Sequence, residues 1–183
     1  MHRYNRFTTS LCDIIVAGDE RGITHLHLCT QEGKREFTIS PHWQLDPNFF
    51  KETTDQILAF VDGKRHHFDL PIAPCGTDFQ KKVWRALTQI PYGELRTYKE
   101  IAQIIGHPKA FRAVGMANGK NPIPLLIPCH RVVGADGKLT GFAHGLAIKK
   151  RLIQLEASCA LRSKPCTTLR DHVDGPKKNP SVP

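Results

Sequence analysis

Residues 121–131, Asn-Pro-Ile-Pro-Leu-Leu-Ile-Pro-Cys-His-Arg, concentrate the reactive chemistry of this 183-residue chain. Cys129 closes an apolar run and lies between Pro128 and His130. A thiol beside a base can ionise, and the thiolate is the nucleophilic form. Pro122 and Pro124 stiffen the approach, which would hold Cys129 in place rather than on a mobile loop. A Cys-His pair alone is common by chance; its weight comes from the run around it. A second group is His25, His27 and Cys29, which on a strand would share one face with Leu26 and Leu28 on the other. That trio has the chemistry of zinc ligands. It equally describes a polar face over an apolar one, and no fourth ligand accompanies it, so no metal is expected.

The elements that must position these groups fall into two units. Residues 1–75 suggest a small α/β domain. Segments 13–17, 23–29 and 35–40 are strand candidates, with turns at 18–22 and 31–34, in a meander. Asp46 with Pro47 resembles a helix start, and Phe49, Phe50, Thr53, Ile57, Phe60 and Val61 continue at helical spacing to Asp62-Gly63. Pro71-Ile72-Ala73-Pro74 has the composition of a linker. Residues 76–160 are mainly helical. Thr77 and Gln80 form one capping box and Thr97 and Glu100 another. The first opens a helix bearing Phe79, Val83, Leu87 and Ile90, stopped by Pro91-Tyr92-Gly93. The second opens a helix through Ile101, Ile104 and Ile105, closed by Gly106-His107-Pro108. With the next helix at 109–118 this makes a helix-turn-helix candidate. A last helix is expected at 146–157, and 161–183 has the composition of a flexible tail.

Bulk properties narrow the function. Apolar residues are 40% and charged residues 23% of the chain, as in ordinary globular proteins. No stretch approaches the ~20 apolar residues of a membrane helix. No signal-peptide apolar region follows the N-terminus, so a cytoplasmic protein is expected, or a nuclear one in a eukaryote. Six cysteines without a Cys-x-x-Cys pair fit reduced thiols. The net charge of +9 is uneven: residues 1–75 hold 8 Lys/Arg against 10 Asp/Glu, and residues 76–156 hold 13 against 5. The basic half is the one with Cys129. Such a half attracts polyanions, DNA foremost, although a solvated basic face has the same composition.

Several blocks in fixed order carry a family resemblance between Gly76 and Glu156. They are Phe79-Gln80-Lys81-Lys82-Val83-Trp84, Pro91-Tyr92-Gly93, Thr97-Tyr98, Arg112-Ala113-Val114-Gly115, the cysteine run, and Gly145-Leu146 with Glu156. This region resembles the 6-O-alkylguanine-DNA alkyltransferases, or methylated-DNA–protein-cysteine methyltransferases. The resemblance implies an α+β chain. A small N-terminal α/β, ribonuclease H-like domain would precede a mainly helical C-terminal domain with a winged helix-turn-helix-like motif.

It also implies a cofactor-free, single-turnover transfer of an alkyl group from guanine oxygen to Cys129. His130 would deprotonate the thiol through a bound water, Glu156 would orient His130, and Asn121 would be the hinge tying the helix-turn-helix to the cysteine run. The partner would be double-stranded DNA, bound by a monomer through the minor groove with the damaged base flipped out. Arg112 matches the residue that enters the base stack, with Ala110, Ala113 and Gly115 allowing close approach. Tyr98 matches the residue that crowds the phosphate and bonds the flipped base, and backbone near Cys129 and Val132 would meet the base edge.

Two departures stand in Gly141-Phe142-Ala143-His144-Gly145-Leu146. Phe142 replaces a tyrosine and lacks its hydroxyl, leaving the N–H of Ala143 as donor to the leaving oxygen, and His144 replaces a small residue at the pocket rim. Competing readings are a lesion binder without transfer, a helix-turn-helix regulator and a cysteine hydrolase. The first is disfavoured by the retained Cys129. The second lacks a dimerisation segment and a polar recognition helix. The third leaves the DNA-binding blocks unexplained.

Overall fold

The computed structural model describes residues 1–33 and 35–162, leaving aside the side chains of 160–162. Most of the tail expected at 161–183 lies outside the described residues. Three antiparallel strands, β1 (Arg3–Thr8), β2 (Asp13–Asp19) and β3 (Gly22–Cys29), form the N-terminal sheet. The short β4 (Gln44–Leu45) adds to β1 in parallel, giving the order β3-β2-β1-β4. Segments 13–17 and 23–29 are strands as their apolar runs predict, and 35–40 is not. Phe37 packs its ring on His25, His27 and Trp43 instead of entering a ladder. The strand that replaces it, β1, is hidden in the sequence by Arg3, Asn5 and Arg6; Asn5 is buried and donates to Thr54 Oγ1 at 3.2 Å.

Helix α1 (Lys51–Val61) buries Thr53, Gln56, Ile57, Phe60 and Val61. Asp46 caps the turn ahead of it, accepting from the Phe49 N–H at 3.0 Å, so the helix begins later than Pro47 suggests. The linker is also more than a spacer. Ile23 N–H donates to Pro71 O at 2.8 Å and Ala73 N–H to Ile23 O at 2.7 Å, which pins 71–73 along the start of β3. Gly22 is required at this contact: its φ is +132°, and a Cβ there would sit 2.6 Å from Pro71 O.

Both capping boxes form. Helix α2 (Asp78–Thr88) has Gln80 N–H on Thr77 Oγ1 at 3.3 Å and Thr77 N–H on Gln80 Oε1 at 2.9 Å. Helix α3 (Tyr98–Ile104) repeats the pattern with Thr97 and Glu100. After the left-handed Gly106, a turn occupies 107–110, so α4 (Phe111–Gly119) starts two residues later than expected. Trp84 Nε1 donates to Ala117 O at 2.9 Å and locks α2 onto α4. Strand β5 (Arg96–Thr97) pairs in parallel with β6 (Val132–Val133), joining the helix-turn-helix to the chain that leaves Cys129. The last helix, α5 (Leu146–Arg162), runs beyond its expected end at 157. One buried cluster spans both units, from Ile14, Leu28 and Phe60 to Val83, Leu87, Ile123 and Leu152. Each such side chain contributes roughly 1.5–3 kcal/mol by leaving water.

Candidate active site

The cysteine run is fixed before the cysteine is reached. Asn121 is buried, with Oδ1 accepting from the Ile123 N–H at 3.0 Å and Nδ2 donating to Ile127 O at 2.8 Å. Between these contacts Leu125 takes φ +72°, a cost of order 1–3 kcal/mol that only a well-held segment sustains. Strand β3 and the coil after it grip the same stretch, with Leu26 N–H donating to Pro122 O at 2.9 Å and Arg35 Nη1 to Asn121 O. Cys129 then opens a single 3₁₀ turn through Arg131. It is 4% exposed. Burial pushes its thiol pKa up, opposed by Asn121 and by the positive charges of Lys149 and Arg35.

His130 is fully buried, and its Nε2 lies 2.7 Å from Glu156 Oε1. Its Nδ1 is buried with no hydrogen-bond partner among the described residues. Glu156, on α5, also accepts from Arg131 Nε at 2.9 Å, Arg131 Nη2 at 3.0 Å and the Gly93 N–H at 2.8 Å. Burial alone would raise the Glu156 pKa, but the bonds from His130 and Arg131 prevail and hold it at about 2. Burial lowers the His130 pKa despite the carboxylate beside it. At neutral pH the pair is therefore a carboxylate and a neutral imidazole. Nε2 then carries the ring proton towards Glu156, and Nδ1 holds the free lone pair. The arrangement has the chemistry to supply a nucleophile, a base one residue away, and an anion to orient that base.

Two members of this site escaped the sequence reading. Arg131 joins Glu156 to Ile90 O, which it reaches through Nη1 at 2.6 Å, and lies 5.6 Å above the Tyr92 ring. Lys149 is fully buried, its Nζ donating to Val132 O at 2.5 Å and Thr140 O at 2.7 Å, and burial lowers its pKa to about 8. A signal for it existed: Lys149, Leu152 and Glu156 share one face of α5 at i, i+3 and i+7.

The remaining expected residues fall into two further groups. Around the β6–α5 loop, Tyr98 donates its hydroxyl to Thr140 O at 3.1 Å, Val132 is buried in β6, and Phe142 packs partly against the core. Ala143 lies in the same loop, while the His144 ring turns towards β3. On α4, Phe111, Arg112, Ala113 and Met116 face solvent, with the smaller Ala110 and Gly115 half-buried beside them. Among the described residues no group of three or more His, Cys, Asp or Glu side chains could hold a metal, and no helix is long and apolar enough to cross a membrane.

This geometry matches an established family. Residues 3–74 match the ribonuclease-like domain of 6-O-methylguanine DNA methyltransferase, and residues 78–158 match its DNA-binding domain. The methylated-DNA–protein-cysteine methyltransferase of Methanosarcina barkeri is 52% identical over 153 residues, covering 84% of this chain and 96% of its own. That of Mycobacterium tuberculosis is 44% identical over 160 residues, covering 87% and 95%. A crystal structure of Mycobacterium tuberculosis OGT in complex with DNA superposes with a TM-score of 0.79 at 43% identity, covering 86% of this chain and 94% of that one. The chain belongs to the 6-O-methylguanine DNA methyltransferase family.

Proposed function

We propose that this chain repairs DNA by moving the methyl group of 6-O-methylguanine, and more weakly of 4-O-methylthymine, onto its own Cys129. The observation that carries this reading is the 2.7 Å His130–Glu156 bond, which leaves an unpartnered Nδ1 one residue from the thiol. The Cys129 proton passes to Nδ1, and the carboxylate of Glu156 stabilises the imidazolium that results. The thiolate attacks the methyl carbon as the carbon–oxygen bond breaks, and the bonding pair stays with the guanine, which takes up one proton as the His130 imidazolium gives one up. The backbone N–H of Ala143 donates to the leaving oxygen, and Tyr98 supplies a hydrogen bond to the base. No step removes the methyl from sulfur, so each molecule reacts once.

DNA binds to the exposed face of α4, where Arg112 occupies the gap left by the flipped base. Ala113 and Gly115 permit the close approach, and the charge excess of residues 76–156 supports the partner. The test is intact mass and peptide mapping after mixing with duplex DNA that contains one 6-O-methylguanine. One added methyl on Cys129, saturating at one per chain and absent in Cys129→Ala, is the expected result. Tight binding to the lesion with no mass gain would make the protein a recognition module instead.

A further inference from the structure

The loop from β6 to α5 departs from the family pattern at His144, and the structure gives that residue work outside the reaction itself. Its ring is 2% exposed and Nδ1 lies 3.1 Å from Leu28 O, on strand β3. The ring meets His27 edge-on at 5.1 Å between centroids and Phe142 at 5.6 Å, so the imidazole stands between the sheet and the expected pocket wall. The backbone is tied at the same point, with Thr30 Oγ1 donating to His144 O at 2.6 Å. Two glycines show how closely the loops mate. A Cβ on Gly33 would sit 3.1 Å from His144 Cα, and one on Gly145, whose φ is +97°, would sit 2.8 Å from Glu32 Cβ. His144 is held neutral by burial, with a pKa of about 4, so Nδ1 can donate to the Leu28 carbonyl throughout the neutral range.

We propose that His144 is a positioning residue for substrate range: it braces Phe142 from behind against β3, so the N-terminal sheet sets the width of the alkyl pocket. The inference rests on the alkyl-transfer reading above and deepens it. Phe142 has no hydroxyl to anchor it, and its ring is held by packing alone. Removing the imidazole would remove both the packing partner and the bond to Leu28 O, and the wall could then recede towards the sheet. A wider pocket gains most for a bulky alkyl group and little for methyl.

The test compares single-turnover transfer from two duplexes of one sequence, carrying 6-O-methylguanine or 6-O-benzylguanine, in wild type, His144→Gly, His144→Asn and Thr30→Val. The readout is the benzyl-to-methyl rate ratio, because general destabilisation slows both substrates alike. His144→Gly should raise the ratio about tenfold, within the range expected for a change in pocket shape. His144→Asn keeps an N–H where Nδ1 stood and should return the ratio towards wild type. Thr30→Val loosens the loop from the N-terminal side and should raise the ratio in the same direction. It decides the matter should His144→Gly not fold. An unchanged ratio in the folded variants overturns the inference and leaves alkyl transfer standing. A wild-type chain that gains neither alkyl group overturns both.

Discussion

Glu156 serves a guanidinium and a neutral imidazole at once, and this division sets its pull on the ring. Arg131 takes both carboxylate oxygens while His130 takes one, so the anion is shared and its pull on the imidazole is reduced. Glu156→Gln removes the charge that would stabilise imidazolium and should slow transfer by about 10²-fold or more. It also strands the buried Arg131, and loss of one partner of a buried pair costs roughly 3–5 kcal/mol, readable as a fall in Tm. Arg131→Met should act in the opposite direction on pH dependence. The guanidinium depresses the His130 pKa, so its removal should raise that pKa and shift the acid limb of the pH–rate profile upward. In the wild type His130 lies below its ordinary 6.5, so the rate should hold steady down to that pH and fall only in more acid solution. Cys129, His130, Asn121 and Glu156 could be singled out from their motif, and the structure gives His130 and Glu156 a hydrogen bond and Asn121 a hold on the cysteine run. Arg131 and Lys149 could not, since long cations are seldom buried and a sequence gives little sign of the carbonyls and carboxylates awaiting them.

Legibility of the elements followed how local their determinants are. Both capping boxes and the strands β2 and β3 could be read directly, because side-chain spacing within each segment decides them. Strand β1 and the coil at 35–40 could not, because the first depends on partners from β2 and β4 and the second on an aromatic cluster with β3. Lys149 belongs to this scale as well, since it bonds β6 to the following loop from α5. Lys149→Met would leave the buried Val132 carbonyl without this donor, at about 1–3 kcal/mol, while Thr140 O keeps the Tyr98 hydroxyl, and should lower both Tm and transfer rate. His144 gives a further pH signature. Its folded pKa of about 4 lies below the unfolded 6.5, so its contribution to stability is complete above pH 6.5 and is lost as the pH falls through 4. The loss amounts to about 3 kcal/mol. Urea midpoints measured from pH 7 to 4 should fall less steeply in His144→Asn than in the wild type.

At the scale of the molecule, charge and exposed surface are divided between the two units. The acidic N-terminal unit supports the cysteine run, and the basic C-terminal unit presents α4. Lys109→Ala and Lys120→Ala, at the two ends of α4, should each weaken DNA binding similarly for all sequences and reduce the slope of log affinity against log salt by about one. The flipping role proposed for Arg112 predicts that Arg112→Ala slows transfer from duplex DNA but leaves transfer from free 6-O-benzylguanine near the wild-type rate. The strand order carries a consequence for how the protein is made. The three long strands pair with their neighbours in sequence, and α1 follows within 61 residues of the start. A ribosome therefore releases a complete sheet before the apolar stretch at 123–127 has been synthesised. When that stretch emerges, the Leu26 N–H already waits for the carbonyl of Pro122, and the growing chain has a surface to settle on.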